Sequence, residues 1–363
     1  MHLRLLHRNL RYGPDFLLQT SSSGAVAELS TLYLVLEDGD ALTAFGEIRE
    51  NIAYLSGVPP QAIRAETLRL LRTLDWRRPP EALLDALHAT PPRMPAATAL
   101  IDSLLHDWLA RRAGLPLCTL LAGTPPRPSP TNQTLFWSDP AAFEARAAAY
   151  VARGFTRLKL RFGRPDPAED LWRLRRLREM FGDRVTLSAD ANGAWTEAEA
   201  LTHIRAAARH GLDYIEQPIP PGDWSALDRL ARQTGVLVMA DESLATPADL
   251  EALLRCEGRV GGHLKLVKTG GIRPLLAAGR RLAQAGVPLM VGQMNEGAGA
   301  TAAAIHLALA LDAPLRELYG ADGLTNDPAT GLAYGDGQVT LPDRPGLGVT
   351  LARDGLTLLE TVF

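Results

Sequence analysis

Cysteine is scarce: the 363-residue chain holds two, Cys118 and Cys256. They are too few and too far apart for a disulfide framework or a Cys-ligated zinc site, so a reducing compartment is the default. A basic excess is missing too. The 38 Lys and Arg face 41 Asp and Glu, a net charge of −3. Nothing is in surplus to neutralise phosphates, so no nucleic-acid partner is expected. No apolar run approaches the ~18 residues that a membrane helix needs. Met1-His2-Leu3-Arg4 leads into mixed polar sequence, not the apolar core of a signal peptide. No His-Glu-x-x-His pair occurs, and His203, His210 and His306 fall within or at the end of predicted helices without metal-ligand spacing. The expectation is a soluble cytoplasmic protein with no membrane partner.

What is present is ordinary for a globular chain: 46% hydrophobic and 22% charged residues. The length predicts about two domains. Residues 31–37 and 42–49 are rich in β-formers and flank Asp38-Gly39-Asp40, a hairpin signal. Helical spacing follows at 59–74, 80–87 and 96–121. Strands then helices predict an α+β unit over 1–125, ended by the Pro-rich stretch 125–130.

Beyond it the pattern alternates. Strands are predicted at 131–137, 156–161, 185–190, 212–217, 236–241, 263–268 and 287–292, with a weaker eighth at 316–319. Amphipathic segments such as 140–153, 197–210 and 274–285 lie between them. Such βα units over 126–320 favour a closed barrel, with a doubly wound sheet as the alternative. Residues 321–363, Gly- and Pro-rich, are expected to return to the first domain.

Polar residues end consecutive strands: Lys159, Asp190, Glu216, Asp241 and Lys265, at steps of 31, 26, 25 and 24 residues. In a barrel these positions open on one face. Three carboxylates on adjacent strands repel unless a cation sits between them, and a hard divalent ion, magnesium with manganese as the alternative, suits them. Alternation turns Arg157, Lys159 and Arg161 inward, with Lys265 inward on strand six. A lysine among other cations and a metal is expected to have a depressed pKa and to serve as a base.

These motifs resemble the enolase superfamily, in its muconate-lactonizing-enzyme branch. The resemblance runs through Gly46-Glu47, the segment from Ile101 to Asp107, Gly154 to Lys159, Asp190-Ala191-Asn192-Gly193-Ala194-Trp195, Ile215-Glu216-Gln217-Pro218, Ala240-Asp241-Glu242-Ser243 and Lys265 to Gly271. It implies an α/β chain: a modified (β/α)7β TIM-type barrel under an α+β capping domain formed by both chain ends. It implies that Asp190, Glu216 and Asp241 bind magnesium and that Lys265 is the acid/base.

One position departs from the branch. Its usual Lys-x-Lys reads Lys159-Leu160-Arg161 here. Arginine stays protonated, so Arg161 is a poor base and a good electrostatic clamp. A two-base racemisation is thereby put in question, with Lys159 the weak substitute. The resemblance puts substrate specificity on the loop 19–27 and on the ends of strands seven and eight. Asn192, Glu296 and Asp322 are the candidate contacts. Gly320 stands where dipeptide epimerases carry the first acid of Asp-x-Asp.

Three weaker signals remain. Gly297 to Ala302 fits a dinucleotide pattern without its strand or its ribose-binding acid. The run 173–178 reads as a solvated helix face, while Phe136 and Trp137 could line the barrel mouth or fill its core. The functional expectation is magnesium-dependent abstraction of the proton alpha to a small-molecule carboxylate, giving an enediolate and then isomerisation of cycloisomerase or epimerase type. The alternatives are a one-base lyase and a silent metal-binding ligand sensor. A homo-oligomer is expected.

Overall fold

The computed structural model describes every residue except 14, 15, 17, 39 and 40. Two sheets organise it. The first is antiparallel and carries β1 (His2–Leu10), β2 (Leu29–Asp38) and β3 (Ala41–Arg49). The predicted turn between β2 and β3 lies partly outside the described residues, but Asp38 pairs with Ala41 across it. Helix α1 (Pro95–Arg112) packs on this sheet through the buried Leu100, Ile101, Leu104 and Leu105. The predicted helix over 96–121 is in fact two. Helix α1 stops before Gly114 and Pro116, and a second helix covers Leu117–Ala122. Proline cannot donate the helical hydrogen bond that continuity would need.

The second sheet has eight parallel strands: β4 (Gln133–Leu135), β5 (Arg157–Arg161), β6 (Thr186–Asp190), β7 (Leu212–Glu216), β8 (Leu237–Ala240), β9 (Val260–Lys265), β10 (Leu289–Gly292) and β11 (Leu315–Glu317). They pair in sequence order. The Asn132 N–H donates to the Arg316 carbonyl at 3.2 Å, between the first and eighth strands, which rolls the sheet into a barrel. Helices follow the strands, among them α2 (Pro167–Phe181), α3 (Ile272–Gln284) and α4 (Ala298–Ala310). A last strand, β12 (Thr357–Thr361), pairs antiparallel with β1, so the chain's end joins the sheet of its start.

Side-chain alternation sorts the barrel strands. Leu158, Leu160, Leu187, Ala189, Ile215, Val238, Leu264 and Val291 are buried in the main core with the helix residues. The opposite face of the strands points inward. Tyr214, Leu237, Met239 and Met290 form an apolar plug there. One pleat further along the same face come Arg161, Asp190, Glu216, Asp241 and Lys265. The barrel is thus dry and apolar at one end and charged at the end where the strands finish.

The run 173–178 is not simply a solvated face. Arg173 is buried, over the Phe143 and Trp172 rings, and donates to the Ser138 carbonyl. Arg178 donates to the carbonyls of His210 and Val185. Leu174 and Leu177 drive this helix face into the core, and the neighbouring guanidiniums are carried in with them.

Candidate active site

The strand register brings the predicted acids together. Asp190 ends β6 and is the Cα partner of Glu216 on β7, while Glu216 pairs with Met239 two residues before Asp241. All three are buried. Each has cationic partners. Glu216 Oε2 accepts from Lys159 Nζ at 3.1 Å, and its Oε1 meets His263 Nδ1 at 2.9 Å. Asp241 Oδ2 accepts from Lys265 Nζ at 2.6 Å, and its Oδ1 accepts from Lys268. Asp190 pairs closely with Arg161 and stands 3.6 Å from Lys159 Nζ.

The electrostatics follow from this crowding. Burial and the neighbouring Glu216 raise the Asp190 carboxyl to about 6, against Arg161 and Lys159. Burial also opposes charge on Glu216, but Lys159 and His263 more than reverse it and hold its pKa low. Burial likewise opposes charge on Asp241, but Lys265 and Lys268 hold its pKa well below the ordinary carboxylate value. The lysines were expected to be depressed. Burial pulls Lys159 and Lys265 down, but the surrounding carboxylates push both above the ordinary amine value. The acids outweigh the neighbouring cations at these positions.

Donor atoms of Glu216, Asp241 and His263 lie within 4.8 Å of one another. Two carboxylates and an imidazole thus converge, with the predicted ligand Asp190 outside that group, and the buried carboxylate oxygens suit a hard, oxygen-preferring divalent ion. His263 Nδ1 is committed to Glu216, and its ring stands where a Cβ on Gly292 would meet Nε2 at 2.1 Å. Only glycine on β10 leaves room for that imidazole.

A cavity opens above this cluster. Arg161, Asn192, Asp241, Glu242 and Lys265 line its floor. Its roof is a small hairpin of Leu18–Thr20 with Gly24–Val26, which brings Thr20, Ser22 and Ser23 over the barrel mouth. Ser21 Oγ ties this hairpin to the barrel by donating to the Ala191 carbonyl at 3.1 Å. Phe136 and Met294 add apolar wall, and Arg49 of β3 reaches in from the capping sheet. Trp137, the other aromatic considered for the mouth, donates instead to the Arg161 carbonyl at 3.0 Å.

Three of the sequence-predicted residues lie elsewhere. Lys159 is fully buried beneath the cavity, paired with Glu317 as well as Glu216. Glu296 turns towards the capping sheet, accepting from the Arg49 N–H at 3.2 Å and the Met294 N–H at 3.1 Å. Asp322 accepts from Gln133 at 2.7 Å and Arg153 at 2.8 Å and borders a separate depression on the barrel's flank. Asn192 does line the cavity. It takes a left-handed φ of 46° and bridges Asp190 and Glu242.

Sequence reasoning missed several participants. Strand six, predicted over 263–268, ends at Lys265 in the structure, and the chain then turns into a short helix, Leu266–Thr269, which folds Lys268 back onto Asp241. Gln217, also at a left-handed φ (34°), accepts from the Asp241 and Ser243 N–H groups at 3.1 and 3.0 Å and so fixes the end of β8. Burial, with Asp241 and Asp190 beside it, raises the Glu242 carboxyl to about 8. A signal for Gln217 and Glu242 was available, since both sit inside the quoted strand-end motifs.

Residues 142–355, more than half of the chain, match the family described as "Enolase C-terminal domain-like". The chain is 32% identical to the L-Lys-D/L-Arg epimerase of Methylococcus capsulatus over 332 residues, covering 90% of this chain and 92% of that one. It is 34% identical to the chloromuconate cycloisomerase of Pseudomonas putida over 268 residues, 72% of each. The crystal structure of N-succinyl Arg/Lys racemase from Bacillus cereus superposes with a TM-score of 0.88 at 25% identity, covering 98% of this chain and 96% of that one. With barrel, capping sheet and strand-end acids in agreement, the chain belongs to the enolase superfamily, in its mandelate racemase and muconate-lactonizing branch.

Proposed function

We propose that this protein is a magnesium-dependent isomerase in which Lys265 carries the proton alpha to a substrate carboxylate. One observation supports this most: Lys265 Nζ lies 2.6 Å from Asp241 at the cavity wall, beside the buried acids of two further strands. Asp190, Glu216 and Asp241 would hold the ion. Magnesium, or manganese in its place, when bound supplies Lewis-acid polarisation of the substrate carboxylate.

The chain's own groups do the rest. Lys265 would remove the α-proton as the neutral amine, a form that a cation held among Asp190, Glu216 and Asp241 would favour by offsetting the carboxylates that raise it, and would deliver it again. Arg161 stands four strands away in the eight-stranded order, across the barrel mouth, and its fixed positive charge stabilises the enediolate that develops. Lys159, sealed under the cavity, holds Glu216 and neutralises Glu317. The serine hairpin shields the reacting centre from water. Return of the proton by Lys265 to the face it left regenerates the substrate, so its one-base chemistry gives a cycloisomerase-type bond rearrangement, and an epimerase-type step needs a proton delivered from the opposite face, the side of Arg161. The second reading is a one-base elimination, favoured by the arginine that takes the second base's place. The two cysteines are free thiols, which agrees with a cytoplasmic setting, and we expect a homo-oligomer, to be measured by light scattering.

The test is solvent exchange. N-acyl amino acids, dipeptides, muconates and sugar acids are incubated with protein and magnesium in heavy water, and the α-proton signal is followed by NMR. Loss of signal that stops on adding a chelator supports the enzyme. No exchange across the panel favours the ligand sensor.

A further inference from the structure

Gln217 follows Glu216 at the end of β7, and its backbone is left-handed, with φ 34°. Glycine takes such a φ freely, whereas a long side chain there is strained. Strain of this kind persists only where the surroundings compensate it, and it concentrates at functional sites. Here the compensation is complete. The residue is fully buried, and each of its polar groups is bonded. Its N–H donates to the Met239 carbonyl on β8 at 2.9 Å, and its carbonyl accepts the Gly193 N–H at 2.7 Å. Its Oε1 accepts the Asp241 and Ser243 N–H groups at 3.1 and 3.0 Å. Its Nε2 donates to the Ile219 carbonyl and to Ser243 Oγ, each at 2.8 Å. Turning the amide over would set its NH2 group against two N–H donors, so only this orientation bonds.

These bonds reach three strand ends at once. The Gly193 link holds the turn after β6, where the neighbouring Asn192 N–H donates to Asp190 Oδ1 at 2.9 Å. Gln217 itself continues β7 from Glu216. Its amide grips the backbone of Asp241 and of the turn beyond β8. Each strand end that carries a buried acid is therefore tied to this one residue. A glycine would make the turn without strain but would bring no amide, so the side chain is what the strained position preserves. Three neighbouring carboxylates repel one another, and ligands fixed at their spacing beforehand need not be gathered when a cation arrives.

Resting on the reading above that Asp190, Glu216 and Asp241 hold the ion, we propose that Gln217 is a positioning residue that sets the ion's affinity. It acts through the three strand ends, with no polar atom left over to be a ligand.

Manganese binding by electron paramagnetic resonance tests this on the intact protein, at a temperature where circular dichroism shows each variant folded. Under that condition affinity is a property of the native site. A merely structural role would lower the unfolding midpoint and leave the affinity alone. Gln217→Met keeps the length without the amide and should bind manganese at least about tenfold more weakly, the usual size for loss of a partner behind the ligands. Gln217→Gly, free of the strain, should be as weak. Gln217→Glu keeps an acceptor for both N–H groups and adds negative charge, so it should stay within about threefold of wild type or bind more tightly. Wild-type affinity in folded Gln217→Met or Gln217→Gly, or a loss of about tenfold in Gln217→Glu, overturns the inference while the ion reading stands. If neither Gln217→Met nor Gln217→Gly folds, Gln217→Glu decides alone. A wild type that binds no manganese removes the ion reading and this inference with it.

Discussion

Asp102 of α1 caps a helix to which it does not belong. Its Oδ1 accepts the Ile272 N–H, at the start of α3, at 2.6 Å. Residue 271, before it, is a glycine at φ 125° whose absent Cβ would lie 2.5 Å from the same carboxylate. The capping sheet's main helix thus holds the turn that follows Lys265.

Asp102→Ala should therefore destabilise the fold. The carboxylate is buried, accepts from Ile272 and meets His88 at 2.6 Å and His106 at 3.2 Å. Removing it orphans the buried Ile272 N–H and the His88 imidazole, while His106 keeps its 2.9 Å bond to the residue-102 carbonyl, a loss of about 2–4 kcal/mol. Urea unfolding reads this directly, with Asp102→Asn expected to recover part of the loss through its remaining acceptor. A midpoint unchanged in Asp102→Ala contradicts the capping role.

Lys159→Met should cost about 3–5 kcal/mol, because Glu216 and Glu317 would be left as buried unpaired charges. Neutralising one of them as well, in Lys159→Met with Glu317→Gln, should restore a good part of it. A double-mutant cycle checks this. Strict additivity of the two substitutions would contradict direct coupling.

His306 predicts a pH dependence of stability. It is fully buried on α4, accepts the Cys118 N–H at Nδ1 at 3.1 Å, and burial holds its pKa down at about 4. The unfolded imidazole titrates near 6.5, so below that pH the unfolded chain takes up a proton that the folded one refuses. Stability from this group is complete above about 6.5 and falls as pH drops to about 4, by roughly 3 kcal/mol in all. His306→Asn keeps an acceptor for Cys118 and should flatten that slope in denaturation curves between pH 4 and 7. An unaltered slope would assign the dependence to other groups.

Much of the site could be read before the fold was known. Asp190, Glu216, Asp241 and Lys265 recur at nearly constant spacing because each βα unit has nearly constant length, so position along the chain maps to position around the barrel. Arg161 was identifiable because alternation alone turns it inward. Fates decided by distant partners were not legible. Asp322 is drawn off by Arg153, Glu296 by the backbone of Arg49, and Lys159 by Glu317, none of them near in sequence. Burial lowers Lys159 and Lys265, but Glu216 and Asp241 outweigh it, with Glu317, on the last barrel strand and unread in the sequence, adding to both. The buried Arg173 was missed because periodicity marks apolar faces and says nothing of carbonyls such as that of Ser138, which accept a guanidinium.

In the proposed reaction the acid cluster holds the ion while Lys265 moves the proton, and Lys265→Ala separates the two roles. Asp241 keeps Lys268 in this variant, so the fold and the ion site should persist. Manganese binding followed by electron paramagnetic resonance should match wild type, while α-proton exchange in heavy water drops by at least about a hundredfold. Exchange that continues at the wild-type rate in a variant that still binds manganese would contradict the claim.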